Sequence, residues 1–346
     1  MNLRSRNNCN AIIETSINTL IFGCPTTVIP SSVTSIGASA FSYCTALSTI
    51  EIPLSVTAIR ESAFYGCSGL ISINIPSSVK TIESNAFGNC SNLTSVRLSE
   101  SIKTIGDAAF AGCSNIESIS LPDSLSEIQA ALFRGCVNMA EITIPGSVKS
   151  IGSAVFDGCA KLKSIILPDG LEMLGRSVFE GCSGLEKLYI PENVKTIGSG
   201  AFSGCTNLTE ISLPGSLSEL SNDIFRNCTY LQSVTLPNAI RTIGTRTFSG
   251  CKSIKQITIP ASVVSIYQDA FDECVDLKEL SCFSLIPPQI LNSININYFS
   301  SELSSKLFSN LILNYCTLYV PESSLNLYKE TIGWNQFKTI KPIADR

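Results

Sequence analysis

The chain has 346 residues, of which 44% are hydrophobic and 15% charged, with a formal net charge of −4. So little charge on so much apolar content excludes a disordered chain, and mild acidity excludes the basic stripe that nucleic-acid binding requires. No run of about 18 apolar residues occurs, so no segment is expected to span a bilayer as a helix.

The first ten residues carry Arg4 and Arg6, but no apolar stretch of about 7–15 residues follows them. As written, the sequence carries no export signal, which favours a cytoplasmic setting unless a leader lies upstream. Ala11–Thr15 and Thr19–Phe22 then read as two short apolar strands around Ser16-Ile17-Asn18. Residues 1–30 are therefore expected to form a hairpin-like cap and a first strand, covering the open end of the first coil.

Residues 31–282 are one phrase repeated eleven times at a spacing of 23, without insertion or deletion. Phe41, Phe64, Phe87, Phe110, Phe133, Phe156, Phe179, Phe202, Phe225, Phe248 and Phe271 each precede a cysteine by three residues. A fixed period of this length is the mark of a repeat solenoid, each coil touching only its neighbours. Within a coil, Leu70-x-x-Ile73-x-Ile75 alternates and ends at Pro76, which predicts a short strand stopped by a residue lacking an N–H. Leu70, Ile73 and Ile75 are expected inward, and Ser72 and Asn74 outward. Equivalent strands must stack in parallel. The chain then turns, Val79 and Ile82 return to the core, and a following glycine, as at Gly106 or Gly198, suits a tight corner. Ala-Phe-x-x-Cys is expected to form one helical or 3₁₀ turn, since Phe and Cys three apart share a face.

The core ladder is thus expected to contain Phe64, Phe87, Phe110, Cys67, Cys90 and Cys113 and their equivalents. Parallel thiols one strand spacing apart, about 4.8 Å, suit disulfide geometry poorly. They read as buried free thiols behaving as small hydrophobes. There is no Cys-x-x-Cys pair and no histidine, so no metal site and no cofactor is expected.

After Cys274 the period falters. Leu277–Cys282 begins another strand, but Phe283 stands where proline is due, and Thr317–Pro321 arrives 38 residues later instead of 23. Residues 283–346 are expected as an irregular last coil and cap, with Pro287-Pro288 and the polar run Asn292–Ser305 placing the insertion as a loop. Leu325, Tyr328 and Ile332 suggest a short amphipathic helix. With Trp334, Phe337 and Ile340 it would lid the final coil.

Chemistry is scarce. Without histidine, the usual general base and Ser-His or Cys-His nucleophiles are missing. No phosphate loop or dinucleotide fingerprint is present. Glu141 and Glu210 share an outward column, but three coils at strand spacing put them about 14 Å apart, too far for paired acid–base work. No enzyme is expected. The four Asn-x-Ser/Thr sequons at Asn89, Asn92, Asn207 and Asn227 read as chance.

Most outward strand positions are small and polar. The exceptions are Ile166 and Tyr189, at equivalent places in consecutive coils, with Lys163, Glu186 and Lys187 beside them. An apolar pair with an aromatic anchor and a charged rim is the composition of a protein-binding hot spot. Glu141, Glu210 and Arg97 are further candidates, and ordinary drift of a solvated face is the competing account.

The phrase Ile-Pro-x-Ser-Val-x-x-Ile-Gly-x-x-Ala-Phe-x-x-Cys resembles the BspA-like leucine-rich repeat surface proteins. The likeness runs over about residues 10–345, from Asn10–Glu14 to Leu318–Pro321, Tyr328-Lys329 and Gly333-Trp334. It departs from the common leucine-rich pattern where Ser55, Ser78 or Ser147 replaces the usual Asn or Cys, and where the next apolar residue comes one place early. The resemblance implies a curved right-handed coil, with a parallel sheet on one face, short helical or 3₁₀ turns on the other, and two caps. It also implies a non-catalytic cell-surface or secreted adhesion protein that recognises a host or matrix protein; the chain is expected to be a monomer. An intracellular protein–protein scaffold is the alternative.

Overall fold

The protein is described here by a computed structural model covering the backbone of residues 3–4 and 310 and all of 10–291, 308–309 and 311–343. Cys9 and the expected loop Asn292–Ser305 lie outside the described residues. The chain divides into two compact units, Met1–Leu171 and Glu172–Arg346. Each is a stretch of parallel β-solenoid with little helix.

The first unit begins with the hairpin. Ile12–Glu14 pairs antiparallel with Thr19–Phe22, and Leu3–Arg4 adds outside Ile12–Glu14. Asn18 closes the turn at φ 50°, a left-handed conformation that asparagine tolerates. Ile13 and Leu20 are buried beneath it. Thr19–Phe22 then pairs in parallel with Ser35–Ile36, so the hairpin starts a ladder that continues through Ala58–Ile59, Thr81–Ile82 and Thr104–Ile105.

That ladder is a second sheet column, where sequence reading expected only a return to the core. Most coils contribute to two parallel columns, one at Ser72–Asn74 and Ser95–Arg97, the other at the Val-x-x-Ile step. Ile73 and Ile75 are buried and Ser72 and Asn74 exposed. Between the columns each proline carbonyl accepts a turn bond from the residue three on, as Pro76 does from the Val79 amide at 3.1 Å.

The Ala-Phe-x-x-Cys segments form single tight turns closed by i→i−3 bonds, such as Cys44 N to Phe41 O at 2.9 Å. They do not run on as helices. The residues two before and two after each phenylalanine lie in the left-handed region: Asn85 and Asn89 around Phe87, Ala154 and Gly158 around Phe156. This alternation points every second amide at the next coil, so Phe41 N reaches Ala63 O and Phe64 N reaches Ala86 O, both at 2.7 Å. The turns are therefore a third hydrogen-bonded seam between coils.

The corner glycines differ in kind. Gly106 and Gly198 do not have positive φ; a Cβ on Gly106 would come within 2.6 Å of Ser84 N, and one on Gly198 within 2.5 Å of Arg176 N. Close approach of the preceding coil is the reason for glycine there.

Inside the first unit the phenyl rings stack nearly parallel. Phe64 and Phe87 have centroids 5.2 Å apart at 2°, and Phe110 and Phe133 are 6.1 Å apart at 13°. The thiols alongside are free, and from Cys67 on they donate to a phenylalanine carbonyl one coil back: Cys90 to Phe64, Cys113 to Phe87 and Cys136 to Phe110, at 3.1–3.3 Å.

The second unit repeats the pattern in Lys187–Tyr189, Glu210–Ser212 and Ser233–Val234. Its last sheet runs Gln256–Ile259, Glu279–Cys282, Thr317–Val320 and Thr339–Pro342. Phe308 takes the next place in the ring stack, 5.5 Å from Phe271. A helix over Asn310–Tyr315, capped by Ser309, follows. The closing helix is Leu325–Glu330, and Tyr328, Trp334 and Phe337 are buried beneath it. Tyr328 Oη donates to Ser284 O at 2.9 Å, and Trp334 Nε1 to Pro288 O at 2.9 Å. Ile332 was expected in this lid, yet it is 86% exposed. Thr331 is extended at φ −78°, ψ 124°, so the helical period ends before Ile332 is reached.

Candidate binding surface

Alternation on each strand decides which side chains a partner could meet. In the first unit Ile166 follows buried Ile165 and precedes buried Leu167, and is 84% exposed. It bridges to Thr143, which bridges in turn to Ser120. Ile166 stands between two shallow depressions. One, of about 370 Å³, is bordered by Glu141, Ser118 and Ser164; the other, of about 420 Å³, by Gly146, Pro168 and Asp169. Lys163 and Glu141 are exposed. Arg97 is exposed at the end of the strand Ser95–Arg97, and borders neither depression.

In the second unit Tyr189 is 57% exposed and registers with Ser212. Two positions earlier, Lys187 meets Glu210 at 3.2 Å, on side chains 73% and 65% exposed. An ion pair this wet contributes about 0.2–1 kcal/mol. Its main effect is to neutralise both charges on the face. Glu186 is exposed beside it, and its carbonyl accepts both the amide and the hydroxyl of Thr209. Ile166 and Tyr189 thus belong to different compact units, and each is a feature of its own face.

Sequence reading missed an apolar surface near the irregular coil. Phe283, Leu285 and Ile286 are 44%, 64% and 77% exposed. They border two depressions of about 550 and 650 Å³, the second also lined by Val264. The available signal was Phe283 itself, an aromatic residue standing where the repeat places proline. Among the described residues no group of three metal-ligating side chains is gathered, and no helix is long and apolar enough to cross a membrane.

Comparison with known proteins places these surfaces in context. The sequence matches the family described as the BspA type leucine rich repeat region (6 copies), over residues 22–140, 126–237 and 218–342. A leucine-rich repeat protein from Bacteroides ovatus of known structure is 25% identical, with 99% of this chain and 98% of that one covered and a TM-score of 0.67. The pneumococcal vaccine antigen PcpA shares 23% identity over 92% of this chain and 78% of its own, at a TM-score of 0.60. A leucine rich cell surface protein from Faecalibacterium prausnitzii is 23% identical, with 85% and 95% covered and a TM-score of 0.50. None of the curated proteins matches the chain.

Proposed function

The chain belongs to the BspA-type leucine-rich repeat family, and from that premise we propose that it is a non-catalytic adhesion module which binds a protein partner through its outward strand face. Leucine-rich repeat proteins are in general protein-interaction modules. The observation that carries the reading is Ile166, a large aliphatic side chain 84% exposed on a strand whose neighbours Ile165 and Leu167 are buried. Its exposure serves no packing purpose. Tyr189 is the corresponding anchor on the second unit, with Lys187, Glu186 and Glu210 around it and Lys163, Glu141 and Arg97 on the first unit's face. The partner class is a host or matrix protein and the location the cell surface or the medium, both assigned from the family, whose members are surface proteins.

The test is binding of the full chain to immobilised extracellular-matrix proteins, with Ile166→Ser and Tyr189→Ser singly and together. A matrix protein held by the wild type should be held at least tenfold more weakly by the double variant, with the melting temperature unchanged within about 2 °C. Undiminished binding by the double variant removes these residues from the interface.

A second reading, an intracellular protein–protein scaffold, has one observation in its favour: the fourteen described cysteines are all free thiols, the state a reducing compartment maintains. Fractionation of native cells with an antibody to the chain separates the two.

A further inference from the structure

The strand column of the first unit is not uniform. Ser72–Asn74 and Ser95–Arg97 pair over three consecutive residues. At Ser120, Thr143 and Ile166 the ladder shrinks to single bridges. Ser118, Glu141 and Ser164 therefore border a shallow depression of about 370 Å³, walled at one end by Ile166. Its floor is the buried aliphatic row Ile119, Ile142 and Ile165.

One charge stands in this depression, the Glu141 carboxylate. Its counterpart Glu210 is neutralised by Lys187 at 3.2 Å in the adjoining coil of its own unit. Glu141 is flanked in its column by Ser118 and Ser164, which carry no charge. No ion pair joins Glu141 to Lys163 or to any other cation among the described residues. A depression offering an aliphatic wall, several hydroxyl acceptors and one unpaired anion matches a side chain with an aliphatic stem and a cationic head. A neutral head would leave the carboxylate unpaired, and an anionic one would be repelled.

We propose that the depression bordered by Glu141, Ser118, Ser164 and Ile166 receives a lysine or arginine side chain of the protein partner. The ammonium or guanidinium donates to the Glu141 carboxylate and the seryl hydroxyls, while the methylene stem lies against Ile166. The inference rests on the reading of this face as a protein-binding surface and gives the partner its chemistry: a segment that presents a basic side chain.

The test is an array of pentapeptides identical except at the central residue, which is Lys, Arg, norleucine, Gln or Glu. It is probed with the full chain as wild type, Glu141→Gln and Ile166→Ser. At about 20 mM salt the wild type should retain Lys and Arg peptides about twofold to fivefold over norleucine, the upper part of the range expected for one exposed ion pair, and about 0.5 M salt should erase the difference. Glu141→Gln should lose the preference while holding the norleucine peptide as before. Equal retention of Lys and norleucine, a preference that survives in Glu141→Gln, or no retention of any peptide overturns the inference. If basic residues are not preferred and Ile166→Ser still abolishes retention of every peptide, this inference fails and the surface reading stands. Retention that both variants leave unchanged removes the surface reading as well.

Discussion

The thiol of Cys67 donates to the carbonyl oxygen of Phe41, 3.0 Å away and 26 residues back in the chain. That oxygen already accepts the Cys44 amide at 2.9 Å, so the two lone pairs of one buried carbonyl are divided between a turn and the next coil. The second unit repeats the relationship at Cys205–Phe179, Cys228–Phe202 and Cys251–Phe225, each at 3.1 Å. The cysteines are therefore cross-coil donors as well as small hydrophobes.

Removing one donor should be felt. Cys113→Ala deletes the bond to Phe87 O and leaves a small void at a fully buried position. The expected loss is about 1–3 kcal/mol, from the unmade bond and the missing sulfur together. Cys113→Ser keeps a donor and should lose less. Denaturant titration of the three proteins orders them, and an alanine variant as stable as wild type would show that the thiol bond contributes nothing.

The thiols also set a pH dependence. Burial pushes Cys159 from its ordinary value of 9.0 up to about 12, and it pushes Cys205 and Cys228 well above 9.0. In the unfolded chain these groups release their protons near pH 9, while the folded chain holds them. The contribution is complete below about pH 9 and falls away as pH rises through about 12. Melting temperature followed by circular dichroism should therefore drop between about pH 9 and pH 12, and Cys159→Val should flatten the slope. Cys24 contrasts with them: bonding to the Thr26 hydroxyl holds its thiol below the ordinary value, so at pH 8 it should alkylate before the buried ladder.

Left-handed backbone in the turns gives a third expectation. Gly158 has φ +74°, and a Cβ there would meet nothing nearer than Gly135 Cα at 3.7 Å. Space is available, so Gly158→Ala isolates the conformational term, about 1–2 kcal/mol of destabilisation. A thermal melt shows it as a lower midpoint with unchanged circular dichroism.

The period made much of this visible in advance: the inward Leu70, Ile73 and Ile75 and the outward Ser72 and Asn74 follow from alternation and one proline. The column through Thr81–Ile82 was hidden because a two-residue strand is too short to show alternation. Ala108 and Ala131 gave no hint of left-handed backbone, since neither is glycine or asparagine; the bonds from their amides to Ala130 O and Ser153 O in the next coil hold them there. Phe308 was concealed by its distance of 37 residues from Phe271, which breaks the count that identified the other rings. For the candidate surface, Ile166 was conspicuous by composition. The ladder gap beside Glu141 was not, because the strands around it carry ordinary serines and threonines.

The carbonyls of Phe41, Phe64 and Phe87 each take a thiol from the coil that follows, and every second turn amide an oxygen 22 places further on. Such a molecule has a unit of length. Within the regular array its gene can grow or shrink in step only by copying or losing whole 23-residue words, whereas a slip of three residues would bring a ring to the place where the adjoining coil presents sulfur; the one spacing that departs from 23, between Phe271 and Phe308, comes after the last regular word.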